Sequence, residues 1–139
     1  MVIVAPKFLK FVMRIFHGKK IAETARAMAI FPFIFVRSKG EVQPWLLNHE
    51  RIHFRQQMEG LFIFFYLGYF TEKFYARYVK KFSSFDSYLY TSAEQEAYLN
   101  QNDPHYLSSR PFFRQWRFLV HKQKFELDKN EPGKVVWKA

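Results

Sequence analysis

His49-Glu50-Arg51-Ile52-His53 sets two imidazoles four residues apart, with a carboxylate directly after the first. On an α-helix that spacing stacks both histidines one turn apart on the same face, so the two rings can hold one metal ion. Glu50 points to the side of the pair, where it reaches a water on the metal without being a ligand. Zinc hydrolases divide the labour in this way: neutral imidazoles hold the ion, an open position holds water, and a carboxylate takes its proton. The chain has only five histidines, and chance yields the pattern roughly 0.01 times in a sequence of this length and composition. The plain alternative is a surface helix on which two histidines happen to be stacked.

A catalytic zinc ordinarily takes three protein ligands. The chain has no cysteine, which excludes disulfides and leaves only nitrogen and oxygen ligands. His17, His105, His121 and the downstream carboxylates are the candidates. Ala93-Glu94-Gln95-Glu96-Ala97-Tyr98 stands out, because small alanines let a helix pack closely against the one that bears the motif. Glu94 and Glu96 lie roughly 200° apart around such a helix, so only one of them can face the metal.

With these residues the chain resembles the gluzincins, zinc metallopeptidases with a His-Glu-x-x-His helix and a glutamate ligand on a later helix. The likeness is closest to minimal gluzincin-like domains and to the membrane-associated zincins of the prenyl-protein and heat-shock type. Those carry a Glu-x-x-Ala-Asp pattern, and Glu94-Gln95-Glu96-Ala97-Tyr98 matches it at glutamate and alanine, with tyrosine in place of aspartate. In those families that aspartate orients the first histidine through its second nitrogen, and this chain lacks it. A thermolysin-like alignment would choose Glu96 instead of Glu94. The resemblance covers Met28 to about Asn100 and implies an edge strand upstream of the motif, which gluzincins use to hold peptide substrates by strand addition. It also implies Zn2+ held by His49, His53 and Glu94, with Glu50 as general base. A further donor must stabilise the oxyanion, and His105, in the polar stretch from Asn102 to Arg110, is the candidate. The implied activity is hydrolysis of a peptide or protein substrate.

The elements that must position these groups follow from spacing. Pro44 suits a first helical turn, and the segment from there to about Tyr69 reads as the motif helix, with Gly68 as its kink or end. Met28 to Val36 reads as an edge strand interrupted by Pro32. Lys7 to Phe16 reads as a basic amphipathic helix rather than a signal peptide. Glu72 to Lys81 continues the helical pattern, and Ser83 to Ser87 reads as a loop. Thr91-Ser92 caps a helix from Ala93 to about Asn100, and Arg110 to Gln123 forms one more helix. Arg55, Gln56 and Gln57 follow the motif and could reach back to the site, but the expectation is one glutamine satisfied inside the fold and Arg55 in solvent. The whole is expected to be α+β, mainly α: one zincin-like domain over 1–127 with a small antiparallel β element beside the motif helix, and a loose polar tail over 128–139.

Composition bounds the partners. A formal net charge of +10 and 18 phenylalanines point to an anionic partner and to an aromatic core or an apolar-facing surface. The run from Gly60 to Phe70 is about half the length needed to span a bilayer. The expectation is a cytoplasmic chain able to associate with an anionic membrane surface. Arg110 to Arg117 alternates basic and aromatic residues, but no nucleic-acid-binding signature accompanies it, so nucleic acid is disfavoured. A non-catalytic zincin-fold binding protein at a membrane surface is the competing reading. Glu50 argues against it, since a purely structural site has no use for a base.

Overall fold

Proline opens two of the helices that matter most, because it lacks the N–H that a first helical turn leaves unpaired anyway. Pro6 starts α1 (Pro6–His17) and Pro44 starts the motif helix α3 (Pro44–Glu59). The computed structural model describes residues 1–138. Strand β1 (Val2–Val4) precedes α1, and α2 (Lys19–Thr24) follows it after Gly18, which adopts a left-handed φ of 86°. Strands β2 (Ala27–Ile30) and β3 (Phe33–Val36) then form an antiparallel hairpin with Ile30 opposite Phe33. Strand β1 adds in parallel to the far side of β3, giving the order β1-β3-β2. The expected single strand over Met28 to Val36 is therefore two strands. Pro32 sits in the turn between them, where its missing N–H costs no ladder bond.

Strand β2 is the edge that faces α3. Gln57 ties the two together, donating to the Ala29 carbonyl at 2.9 Å and accepting from the Phe31 N–H at 3.0 Å. Helix α3 ends at Gly60, short of the expected Tyr69. A side chain at Gly60 would lie 2.7 Å from the backbone nitrogen of Phe65. The break passes through Leu61 and Phe62, both at positive φ, before α4 (Ile63–Phe74) resumes and runs unbroken through Gly68. A wide helical turn over Tyr75–Val79 extends it.

Ser83 and Asp86 exchange a capping pair that starts α5 (Ser84–Tyr90), where a loop was expected. The signal was the Ser-x-x-Asp spacing. Thr91 caps α6 (Ser92–Asn100) as expected. Its alanines Ala93 and Ala97 are fully buried, and α6 lies so close to α3 that Gln56 donates to the Ala93 carbonyl at 3.1 Å. Asn48 closes the other end, donating to the carbonyls of Gln101 and Asp103 at 2.9 Å each. Those oxygens lie just past the end of α6, where backbone acceptors lack helical partners.

After α7 (Tyr106–Ser109), the expected helix over Arg110 to Gln123 is reduced to one short helix, α8 (Gln115–Val120). The expected loose tail is also corrected: β4 (Phe125–Leu127) pairs with β5 (Val135–Trp137) in a second hairpin. Gly133, at φ 87°, brings that hairpin against the Trp45 indole. The architecture is α+β and mainly helical. Its core joins Leu9 and Met13 of α1, Ile21 and Ala22 of α2, Phe65 and Tyr69 of α4, Tyr88 and Leu89 of α5, Ala93 and Phe125. Among the described residues no helix is long and apolar enough to cross a membrane.

Candidate metal centre

His49 and His53 lie one turn apart on the inner face of α3, and α6 brings Glu94 against both. The two Nε2 atoms are 3.1 Å apart, and each is 3.4 Å from Oε2 of Glu94. Four ligands placed tetrahedrally at zinc's usual 2.0–2.1 Å stand about 3.3–3.4 Å from one another. The triangle therefore matches three corners of such a site. All three residues are buried, and Oε2 of Glu94 finds no hydrogen-bond partner.

The second nitrogen of each histidine is fixed by a glutamine. Nδ1 of His53 lies 2.8 Å from Oε1 of Gln56, and Nδ1 of His49 lies 2.8 Å from Oε1 of Gln101. The amide orientations are set by acceptors that can take only a donor. Nε2 of Gln56 donates to the Ala93 carbonyl and the Glu96 carboxylate, and Nε2 of Gln101 donates to the Gly133 carbonyl. Each Oε1 therefore faces its histidine, each Nδ1 carries the hydrogen, and each Nε2 presents a lone pair inward. Gln101 thus orients the His49 ring. Tyr98 instead packs edge-on against the His49 ring, with centroids 4.5 Å apart.

Two imidazole lone pairs and a carboxylate oxygen facing one another demand a cation, either a proton or a metal ion. Burial works against the charged form of His53, but the Glu94 carboxylate outweighs it and raises this imidazole to about 9. Burial alone would raise Glu94, yet the two histidines hold it well below the usual carboxylate range. Tyr69 donates to the other Glu94 oxygen at 3.0 Å and fixes the carboxylate's orientation.

Glu50 is buried beside the triad, and burial pushes its carboxyl up. It lines, with His49, His53 and Glu94, a cavity of about 380 Å³ between α1, β2, α3 and α4. The other walls are mostly apolar: Val12, Phe16, Met28, Ile30, Tyr66 and Phe70 among them.

Glu96, the alternative ligand, points elsewhere. It is fully buried and accepts from Arg110, Tyr106 and Gln56, while Arg110 also pairs with Glu59. Gln56 thereby links this ion-pair cluster to His53. His105 is not brought to the site: it is exposed in the turn before α7, its N–H held by the Asp103 side chain, and it does not line the cavity. The chain leaves α6 into solvent there and returns through Tyr106 and Arg110 to Glu96. His17, at the end of α1, lines the cavity instead. Burial, then the neighbouring Lys73 ammonium, lowers it to about 4, so it is neutral at pH 7. Its Nδ1 faces Nζ of Lys73 at 2.8 Å and accepts from it, so its hydrogen sits on Nε2. No sequence spacing singles out His17, because contacts of α1 with α4 and α5 carry it to the cavity wall.

Compared with protein-family models, curated proteins and solved structures, the chain matches none. The reading of the centre therefore rests on its own geometry.

Proposed function

We propose that this chain is a zinc-dependent peptidase with a zincin-like arrangement, in which His49, His53 and Glu94 hold the ion and Glu50 is the general base. The observation that carries it is the convergence of three buried ligand atoms at tetrahedral spacing, both histidines turned inward by locked glutamines. Bound there, zinc would supply Lewis acidity to a carbonyl oxygen and acidify a water. The chain's own residues do the rest. Glu50, its carboxyl pushed up by burial, takes the proton of the attacking water and returns it to the leaving amine. Neutral His17, with its hydrogen on Nε2, is the donor for the developing oxyanion, in the role expected of His105. Strand β2 is a sheet edge on the cavity wall; Gln57 takes the Ala29 carbonyl, so an extended peptide would be held by the part of the edge before it. The order of edge strand, motif helix and later ligand helix supports the zincin-like reading.

Cleavage of a peptide mixture, followed by mass spectrometry, tests it. Zinc-loaded wild type should cleave, and Glu50→Gln should keep its zinc while losing about 10²–10⁴-fold in rate. Equal rates for the two, with zinc bound in both, would overturn the enzyme reading and favour a non-catalytic zincin-fold protein at a membrane surface.

A further inference from the structure

Helix α1 turns three different sides to its surroundings. Leu9 and Met13 face the core. Phe11, Ile15, Phe8, Val12 and Phe16 follow one another around the axis at helical spacing, sweeping an arc of roughly 140°. Phe11 and Ile15 are each 62% exposed. Lys7, Lys10 and Arg14 fill the remaining sector, directly beside Phe11, and α1 contains no acidic residue. Helix α4 also turns an apolar side outward, without a basic sector of its own. Phe65, Tyr69 and Lys73 face inward, whereas Ile63 and Leu67 are 75% and 63% exposed, alongside Phe64 and Phe74.

The two apolar sides meet. Phe16 of α1 stacks on Phe70 of α4 with ring centroids 5.3 Å apart, and Phe70 stacks on Phe74 at 6.2 Å. Phe16 and Phe70 also line the cavity over the metal centre. Exposed Arg77, Lys80 and Lys81 follow α4. A continuous apolar face of this size, bordered by cations at both helices, is built to meet something.

We propose that this face docks on an anionic lipid bilayer, with α1 and α4 lying in the interface and the rim of the cavity turned toward the lipid. Charge selects this occupant. A second copy would set Lys7, Lys10 and Arg14 against the same cations of a chain that also carries a net +10. An anionic surface attracts them instead, each contributing about fivefold to the partition coefficient at low salt. Helices with an apolar arc beside a basic one lie in the membrane plane rather than across it. That agrees with the lack of a spanning helix among the described residues. The docking is independent of the peptidase reading, since none of these side chains is a ligand or the base.

Metal-free and zinc-loaded protein should co-sediment with phosphatidylcholine vesicles containing phosphatidylserine at low salt, and less so at high salt. Binding to pure phosphatidylcholine should be much weaker. Ile15→Ser with Leu67→Ser should lower the partition about tenfold or more. Lys10→Glu with Arg14→Glu should remove the preference for the anionic lipid. If the serine pair unfolds, Phe11→Trp reads the same contact through quenching of the introduced indole by brominated lipid. Failure of wild type to bind anionic vesicles at low salt would overturn the proposal. So would a serine pair that folds and binds like wild type, an introduced indole that the brominated lipid leaves unquenched, or a lipid-free dimer that the serine pair dissociates. Vesicle binding is read without turnover, so its failure is distinguishable from failure of the peptidase reading.

Discussion

Each imidazole in the proposed centre is oriented by a neutral amide rather than by a carboxylate. Gln56 and Gln101 fix the rings without adding negative charge, and Glu94 is the carboxylate that faces both Nε2 atoms. The His53–Glu94 contact makes metal binding depend on pH. With His53 raised to about 9, the imidazole carries a proton at pH 7 that must leave before Nε2 can bind a cation. Apparent zinc affinity should therefore fall as pH falls below about 9, by about tenfold per unit. Near pH 7, binding should release one proton from this pair. Calorimetry in buffers of different ionisation enthalpy measures that proton. An affinity flat between pH 6 and 8 would show that His53 is already neutral, contrary to this account.

At the scale of elements, Arg110 joins α3 to α6 by pairing with both Glu59 and Glu96. Arg110→Met would strand two carboxylates, one of them fully buried. It should cost about 3–5 kcal/mol, a fall in Tm of roughly 10–20 °C for a chain of this size. Thermal unfolding at fixed zinc concentration checks it, and a shift below a few degrees would mean that Glu96 finds another partner. Gly133 holds Gln101, and through it His49, against α3. A methyl group there would stand 2.6 Å from the Trp45 ring. Gly133→Ala should push the β4–β5 hairpin off and weaken zinc binding about 10–100-fold, while far-ultraviolet circular dichroism stays near wild type. Unchanged affinity would mean that Gln101 keeps its place without the hairpin. The start of α3 at Pro44 and the Thr91 cap of α6 were legible in the sequence because proline and a capping hydroxyl act locally. The second hairpin was not. Val135–Trp137 is short and polar around its turn, and only its contact with Trp45, far earlier in the chain, makes it structure.

For the whole molecule, the same division between local and distant information holds. The stacked histidines and Glu94 could be read from spacing and resemblance, since both belong to regular helices. His17 and Gln101 could not, because each reaches the centre through contacts between elements far apart in the chain. His105, a candidate from its place in the polar stretch Asn102 to Arg110, stands in solvent. The charge and aromatic excess carry no location, and the fold supplies one: the aromatics divide between the core and the outer sides of α1 and α4. The central claim remains the metal centre formed by α3 and α6. Zinc titration of chelator-treated protein, without a histidine tag, tests it most directly, with X-ray absorption at the zinc edge giving the ligand shell. Wild type should bind one zinc with two imidazole nitrogens and a carboxylate oxygen at about 2.0–2.2 Å, and His53→Ala should lose it. A wild type that binds no zinc, or a His53→Ala variant that binds it with the same ligand shell and affinity, would contradict the account.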